Sequence, residues 1–337
     1  MADNRFPLFR LPFLALCMIM EFYGPHEIIQ LSFCSKRSLR VAKKCWKKRA
    51  VVETYLYVKR IPSVNVHFLD FRFYSRFVIL KARDLKDQQS HNIRIGDAVV
   101  PTIHEETETV TYWEDTILGI EHIVSFIKDL FDVPITKIYL NSQGYKNEFI
   151  DTMDCIMKVQ ESVQDCTLDT ISPIEECLTH LLNRCKITGE LAVHQEPARQ
   201  FRNEWNIHLD SMYITSGPCI TFQNLTNIDC QFLELHHSRL TSEDANQFLK
   251  HWQNGGNSRI RYARIGINSM KRDVVTAGIE TVRQLEALRR LYRTRRNYTI
   301  IRSGGLDIQR NDGTIGTVFM LSNFFEFGVD PIKVFSD

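Results

Sequence analysis

The amino-acid sequence predicts an α/β protein in three parts: an N-terminal three-helix module, a β-rich segment and a larger strand–helix domain. Three observations predict this division. Apolar residues recur at helical spacing over residues 8–48, and short β-branched and aromatic runs follow. From about residue 120, strand and helix candidates interleave. We therefore expect boundaries that give parts 1–50, 51–119 and 120–337.

The first fifty residues predict three short helices. Pro12 suits the first turn of the first helix, where its missing N–H costs nothing, and an apolar run continues to Met20. Gly24-Pro25 breaks the chain, and a second helix starts there with Glu27 near its positive end. The third helix follows Ser35.

Residues 51–119 predict strands. In the first candidate, Leu69, Phe71 and Phe73 alternate with polar residues and therefore share one face of a strand. The stretch before the last candidate is polar and contains Gly96 and Pro101, so we expect a loop there. The strand candidates are Val66–Phe73, Phe77–Leu80 and Thr109–Trp113.

The region from residue 120 to the C-terminus predicts strands joined through helices, which tend to lie parallel in one sheet. The spacing is loosely that of a solenoid repeat, so we expect a leucine-rich-repeat-like curved layer. The alternative is an ordinary closed α/β fold. The helix candidates are Ile120–Phe131, Phe149–Val159, Ile174–Leu182, Thr241–Trp252 and Ile279–Tyr292. The strand candidates are Ile138–Leu140, Gly189–His194, Met212–Ile214, Phe232–Leu235 and Arg259–Ile267.

The C-terminal segment predicts β-structure. Asp312-Gly313 is a strong hairpin signal. The strand candidates around it are Tyr298–Ile301, Leu306–Ile308 and Thr317–Leu321, and Phe324–Phe327 is a further candidate.

Charge is balanced over the whole chain but not along it. The formal net charge of the 337 residues is +2, which by itself implies no acidic partner. Residues 36–49 carry basic side chains and no acidic one, and Arg289–Arg296 is a second basic run. A solvated helix face is the favoured interpretation of such runs, and nucleic-acid binding is the alternative.

Cysteine usage favours a cytoplasmic or nuclear protein. There are nine cysteines, an odd number, and none is arranged as Cys-x-x-Cys. A chain of this length and apolar content needs no disulfide framework, so we expect buried, reduced thiols. The apolar run Leu11–Met20 is shorter than the roughly 20 residues that span a bilayer and contains Pro12, so we expect no membrane segment.

No sequence pattern of catalysis is present. The chain has no phosphate-binding loop, zincin helix, nucleophile elbow or dinucleotide fingerprint. His236 and His237 are adjacent, so on a strand they point to opposite faces and suit one metal ion poorly. We therefore predict a protein that is not an enzyme, with no catalytic residue, no metal site and no cofactor.

The N-terminal module resembles an F-box of the form common in large nematode families. The landmarks are Leu11-Pro12, the Gly24-Pro25 break, Leu31-Ser32 and Ser35-Lys36-Arg37, within residues 6–48. One departure is Phe13-Leu14-Ala15, which stands where many F-boxes carry an acidic residue. The resemblance implies contact with the Skp adaptor of a cullin–RING ligase, an SCF complex. The residues that we expect to make it are Leu8, Leu11, Pro12, Leu16, Ile28, Leu31 and Cys34.

Residues 233–252 are similar to the type 2 F-box-associated domain of the same nematode proteins. A strand, then Leu240-Thr241, then a helix that ends Phe248-Leu249-Lys250-His251-Trp252 carry this likeness. Thr241 or Ser242 is expected to cap the helix.

Together the two resemblances imply the substrate-recognition subunit of an SCF-type ubiquitin ligase, which bridges the Skp adaptor and an unknown protein substrate. Two other classes stay open at this point. One is a protein-interaction scaffold that recruits no ligase, and the other is a basic nucleic-acid-binding protein.

Overall fold

A computed structural model of the chain describes residues 8–46, 52–68, 74–86, 88–141, 146–169, 174–293 and 299–336. Contacts between Cα atoms divide the chain into two compact units, residues 1–163 and 164–337. The boundaries near residues 50 and 119 stay a prediction. No helix in the described ranges has the length and apolar content that crossing a membrane requires.

The first unit begins with the three helices that the sequence predicts. Pro25 occupies the first turn of the second, and Ser35 precedes the third. The predicted helices at Ile120–Phe131 and Phe149–Val159 are also confirmed, and both begin a few residues earlier than predicted. The helices are α1 (Phe13–Met20), α2 (Pro25–Cys34), α3 (Lys36–Trp46), α4 (Thr116–Phe131) and α5 (Lys146–Val159).

The strands of the first unit form one mixed sheet. They are β1 (Val52–Val58), β2 (Ser63–Phe68), β3 (Tyr74–Lys81), β4 (His91–Ile95), β5 (Ala98–His104), β6 (Glu108–Trp113) and β7 (Lys137–Leu140). Their order across the sheet is β7-β1-β2-β3-β6-β5-β4. The predicted strands at Phe77–Leu80, Thr109–Trp113 and Ile138–Leu140 are confirmed, while β1 was not predicted. The alternation at Leu69, Phe71 and Phe73 lies outside the described residues.

The expected loop between β3 and β6 is wrong, because β4 and β5 form a hairpin there. Ile95 pairs with Ala98, and Gly96 has a positive φ of 60°. Gly at the first central position of a two-residue hairpin turn is favoured because it adopts positive φ at no steric cost. The polar character of this stretch reflects an exposed strand, and Pro101 lies within β5 opposite Asn92.

One face of this sheet forms the core. Leu56, Val64 and Phe77 are completely buried, and α2 and α4 pack on that side. The opposite face is half-buried and rich in aromatic rings. Tyr57 stacks on Tyr139 with a ring-centroid distance of 4.9 Å.

The second unit contains the remaining helices and strands. The helices are α6 (Ile174–Arg184), α7 (Phe222–Asn227), α8 (Ser242–Gln253) and α9 (Arg272–Val275). The strands up to α9 are β8 (Val163–Leu168), β9 (Ile187–Val193), β10 (Ile207–His208), β11 (Ser211–Ile214), β12 (Ile228–Asp229), β13 (Phe232–Leu235) and β14 (Tyr262–Gly266). Those after it are β15 (Val282–Arg283), β16 (Leu288–Arg293), β17 (Thr299–Ser303), β18 (Leu306–Gln309), β19 (Ile315–Leu321), β20 (Phe324–Val329) and β21 (Lys333–Ser336).

Four strands of the second unit lie side by side, while β10 and β12, which intervene in the chain, form a separate two-stranded sheet. β9, β11, β13 and β14 pair in parallel in that order, as the strand–helix spacing predicts. β14 then pairs with β20 in antiparallel orientation, and β19, β18 and β15 follow. The predicted hairpin at Asp312-Gly313 joins β18 to β19, with Gly313 at a φ of 90°.

The predicted helix at Ile279–Tyr292 is wrong. Val282 and Leu285, which would belong to its apolar stripe, are largely exposed. Residues 288–293 instead form β16, which pairs with β17 and β21 in a separate three-stranded sheet. Spacing of apolar residues by three suits a helix, but pairing with distant strands decides the outcome here.

Candidate functional site

The three N-terminal helices share a small apolar core. Leu16, Cys17 and Met20 on α1 are buried against Cys45 on α3. The Sγ atoms of Cys17 and Cys45 lie 2.8 Å apart. Such a small core leaves α1 with more apolar surface than the module itself covers.

Local contacts tie the start of α3 to the segment before α1. The Arg37 guanidinium donates to the Phe9 carbonyl at 2.6 Å and lies over the Phe9 ring. The Ser38 backbone N–H donates to the Ser35 hydroxyl at 3.1 Å, which caps α3. These contacts give Ser35 and Arg37 of the Ser-Lys-Arg motif a structural role.

The predicted contact residues divide into two groups. Leu16 and Ile28 are buried, and Leu8, Leu11 and Leu31 pack half-buried against the core of the module. Pro12 and Cys34 are exposed. The structure therefore brings Leu8, Leu11, Leu16 and Leu31 together, while Ile28 lies apart in the interior.

The prominent exposed surface of the module consists of residues that are not among the predicted adaptor contacts. Phe13, Leu14 and Met18 are 53%, 68% and 59% exposed on α1, and Phe22 just after it is 84% exposed. We call these four residues the α1 patch. The sequence did carry a signal for this exposed surface, because every residue of α1 is apolar. A helix that is apolar all round cannot bury every side against one partner.

The other side of the module is anchored on α4 and on the sheet of the first unit. The Trp46 indole N–H donates to the Leu130 carbonyl, and Phe33 stacks on Phe126 at 5.1 Å. The Gln30 amide donates to Nδ1 of His104 at 2.6 Å. Burial, with His91 and His26 nearby, lowers the pKa of His104 to about 4. The helices α2 and α3, which hold α1 in place, are therefore themselves fixed to the rest of the first unit.

The two basic runs differ in how far their side chains are exposed. On α3, Lys36, Arg37 and Arg40 are exposed, as a solvated helix face predicts, and Lys43 pairs with Asp129. In the second run, Arg290 is buried and pairs with Asp307 at 3.0 Å. Structural ion pairing thus accounts for part of each run.

The second unit has a polar, half-exposed sheet face opposite its helices. Val193, Ile214 and Leu235 point to the buried side, so alternate residues point outward. Two cross-strand rows define this open face. One row is Tyr213, Glu234, Arg264 and Glu326, and the other is His194, Thr215, His236 and Phe324.

Aromatic and charged groups alternate along the open face. The Tyr213 ring lies between His194 at 5.4 Å and His236 at 5.7 Å. The Arg264 guanidinium lies 4.2 Å from the centre of the Phe324 ring. Such amphipathic rings and guanidinium groups are typical of protein-binding surfaces.

The helix behind this face is capped as the sequence predicts. The Thr241 hydroxyl accepts from the Asp244 backbone N–H at 3.2 Å, and the Asp244 carboxylate accepts from the Thr241 N–H at 2.8 Å. Phe248, Leu249 and Trp252 are buried along one side of α8. The rings of Phe248 and Trp252 contact Phe327, which fixes α8 against β20.

Three of the buried thiols are poor nucleophiles. Burial raises the pKa of Cys155 to about 12, that of Cys219 to about 11 and that of Cys230 to about 12. A thiol is reactive as its thiolate, which these environments disfavour. In the described residues no group of three histidine, cysteine or acidic side chains is placed to hold a metal ion, and His236 lies 3.0 Å from Glu234.

Two segments of the chain match known domain families. Residues 8–50 match the F-box domain, and residues 200–265 match the domain described as F-box associated. Two uncharacterized proteins of Caenorhabditis elegans, F59B2.8 and F59B2.9, are each 21% identical to the chain. These alignments cover 94% and 93% of this chain, and 74% and 75% of the respective relatives. No solved structure matches the chain.

Proposed function

We propose that this chain, which carries an F-box domain and an F-box-associated domain, is the substrate-recognition subunit of an SCF-type cullin–RING ubiquitin ligase. In this role it bridges the Skp adaptor and a protein target. The observation that carries the proposal is the α1 patch, an apolar surface exposed on a matched F-box domain. The proposal places the chain in the cytoplasm or the nucleus, where such ligases act.

The adaptor interface is centred on α1. Phe13, Leu14 and Met18 supply apolar area, and burying it on the adaptor stabilises the complex by about 25 cal/mol per Å². Of the residues proposed from the sequence, Pro12 and Cys34 are exposed enough to touch a partner. Leu8, Leu11 and Leu31 contribute at the edge of the interface, and Leu16 and Ile28 act by holding the helices in place.

The target is held by the C-terminal domain. The parallel order of β9, β11, β13 and β14 supports a leucine-rich-repeat-like layer, in which α7 follows β11 and α8 follows β13. Such a layer presents one broad sheet face to a partner. The open face defined by Tyr213, Glu234 and Arg264 is the part that we assign to target selection.

The chain contributes no catalytic centre of its own. Cysteines with raised pKa values are unsuited to carrying ubiquitin as a thioester, which supports this part of the proposal. Ubiquitin transfer then depends on the other subunits of the ligase.

The first test is recovery of the adaptor. The full chain, expressed with an affinity tag, should co-purify the Skp adaptor and a cullin, and the double substitution Leu11→Ala and Pro12→Ala should weaken that recovery. Equal recovery of the adaptor with both chains would contradict the proposal. A chain that instead retains single-stranded nucleic acid in a strongly salt-dependent way would favour the alternative function.

A further inference from the structure

Two thiols meet in the core of the N-terminal helical module. Cys17 on α1 and Cys45 on α3 are 5% and 3% exposed, and their Sγ atoms lie 2.8 Å apart. Bonded sulfur atoms lie about 2 Å apart, so a shift of less than about 1 Å would join the two. The residues are 28 positions apart in the chain, so a bond between them would tie the first helix of the module to the third.

Apolar side chains enclose the two sulfur atoms and hold them together. Leu16 and Met20 belong to the same buried cluster, and Tyr23 and Val41 pack half-buried against it. A thiol in such a core usually serves as a small hydrophobic side chain. Two thiols in contact have a further chemistry, because they can be oxidised to a disulfide.

Few contacts hold α1 in its closed position. It has eight residues, and its N-cap residue, Pro12, makes no side-chain hydrogen bond to the helix. Helices shorter than about 12 residues are marginal in water without tertiary support. The side chains of α1 that are buried in the module are Leu16, Cys17 and Met20. Brief opening of α1 therefore exposes Cys17 to a small oxidant.

We propose that Cys17 and Cys45 form a reversible disulfide when the chain meets a peroxide, and that this bond locks α1 onto α3. The Cys17 thiol first attacks the peroxide: the O–O bond breaks, Cys17 becomes a sulfenic acid and one water leaves. When α1 closes again, the Cys45 sulfur attacks the Cys17 sulfur. The S–O bond breaks, the S–S bond forms and a second water leaves with the Cys45 proton. Two thiols are thus oxidised while one peroxide is reduced to two waters.

The disulfide restricts the opening of α1 and leaves the α1 patch in place. The bond closes a loop of 28 residues, which disfavours every state in which α1 leaves α3. Phe13, Leu14 and Met18 are exposed on the same helix and take no part in the bond. A small thiol such as glutathione restores the reduced form by thiol–disulfide exchange. Disulfides inside cells are commonly transient and redox-sensing, as this one is.

Disulfide mapping on the purified, reduced full-length chain tests the proposal. The chain carries Cys34→Ala, because trypsin releases Cys17 and Cys34 in one peptide, residues 11–36, and Cys45 in residues 45–47. Hydrogen peroxide is the oxidant, and mass spectrometry before and after reduction by dithiothreitol measures the linked peptides. We expect at least about ten-fold more Cys17–Cys45 link in the folded chain than in the same chain in urea, where the thiols pair without preference.

Two outcomes of the mapping would overturn the proposal. One is an equal yield of the Cys17–Cys45 link in the folded and the unfolded chain. The other is no such link under conditions that oxidise the exposed Cys34 thiol of the native chain, which reports that the oxidant is active.

Hydrogen exchange measures the lock itself. In the oxidised chain, amide exchange over residues 13–20 should slow by about a hundred-fold, because the bond removes most open states of α1. Dithiothreitol should restore the original rate. Cys45→Ala removes the second thiol, so its exchange should be the same before and after peroxide treatment. Unchanged exchange in a chain with a mapped disulfide would exclude the lock. The mapping uses no core substitution, so it decides even if Cys45→Ala melts early.

A failed redox lock and a failed ligase role give different results. Thiol mapping needs no ligase, and adaptor recovery under reducing conditions needs no disulfide. A chain that recovers the adaptor but forms no Cys17–Cys45 link loses only the redox lock. A chain that forms the link but recovers no adaptor loses only the ligase role.

Discussion

The indole N–H of Trp46, in the last turn of α3, donates to the backbone carbonyl of Leu130 in α4 at 2.6 Å. Leu130 is the penultimate residue of α4, so its carbonyl has no partner further along that helix. Trp46 therefore closes the end of α4 and at the same time fastens the F-box to the rest of the first unit.

Replacing Trp46 tests this attachment. Trp46→Phe keeps an aromatic ring but removes the donor, and we expect it to lower the free energy of unfolding by about 1–2 kcal/mol. Trp46→Ala also leaves a cavity and should cost about 3–5 kcal/mol. Hydrogen-exchange mass spectrometry in urea should show these losses in residues 8–163, with exchange in 164–337 unchanged. Full protection of α4 in Trp46→Ala would contradict the attachment.

The α1 patch predicts a loss of adaptor binding without a loss of folding. The double substitution Phe13→Ser and Met18→Ser removes exposed apolar area and should reduce co-purified Skp adaptor by about ten-fold or more, since a buried apolar side chain contributes about 1.5–3 kcal/mol. Leu118→Ser is the matched control, because Leu118 is 47% exposed on α4. The control should recover as much adaptor as the native chain. If the double variant also recovers as much adaptor as the native chain, the α1 patch is not the interface.

Ile28 should act on the adaptor through folding alone. It is completely buried in α2, so Ile28→Ala should cost about 2–5 kcal/mol of unfolding free energy. Adaptor recovery should then rise when the temperature is lowered and the variant refolds. Thermal melting of the variant, followed beside adaptor recovery, checks this. Lost recovery with an unchanged melting temperature would mean that Ile28 contacts the adaptor directly.

His104 predicts that the first unit loses stability in mild acid. Burial holds its pKa at about 4 in the folded chain, below the ordinary value of 6.5. Between those values the unfolded chain binds a proton that the folded chain does not, so stability falls as pH decreases through this window. The loss stays below about 3 kcal/mol because solvent partly reaches the ring.

Urea unfolding at pH 7.5, 6 and 5 checks the prediction for His104. His104→Gln should reduce the pH dependence in residues 8–163 without abolishing it, because burial also lowers the pKa of His26 and of His67. His194→Gln, in the second unit and exposed, should leave it as it is. Parallel curves for the native chain and His104→Gln would exclude His104 as the cause.

The buried pair of Arg290 and Asp307 predicts a large cost for removing one partner. Arg290→Met leaves the largely buried Asp307 carboxylate without its cation. The substitution should lower the free energy of unfolding by about 3–5 kcal/mol. Arg261→Gln breaks a pair with Asp330 whose side chains are 53% and 66% exposed, and it should cost less than about 1 kcal/mol. Urea unfolding of the second unit compares the two. Similar costs for both variants would mean that burial does not set the strength of the Arg290 pair.

Features with a local cause were predictable from the sequence. Pro12 and Gly24-Pro25 set the starts of α1 and α2, Thr241 caps α8, and Asp312-Gly313 turns the chain between β18 and β19. In each case a side chain acts on backbone within a few residues of itself. The F-box and F-box-associated resemblances depend on these same local motifs, and the comparisons confirm both.

Features set by distant partners were not predictable in this way. Residues 288–293 are a strand because they pair with 299–303 and 333–336, and β1 joins β2 to β7 across some eighty residues of chain. The sequence shows that Leu16 and Ile28 are apolar and lie within the F-box resemblance. It does not show which side of each helix is buried against the rest of the chain.

By itself, then, the sequence determined the three N-terminal helices, the capped helix α8, the turns and the resemblance to two domain families, since all of these follow from local stereochemistry and motif spacing. Only the tertiary structure decided that Leu16 and Ile28 face inward while Phe13 and Met18 face outward, and that Tyr213, Glu234 and Arg264 share one open face. The physical reason is that burial and cross-strand neighbours depend on residues far away in the chain, and no local pattern records them.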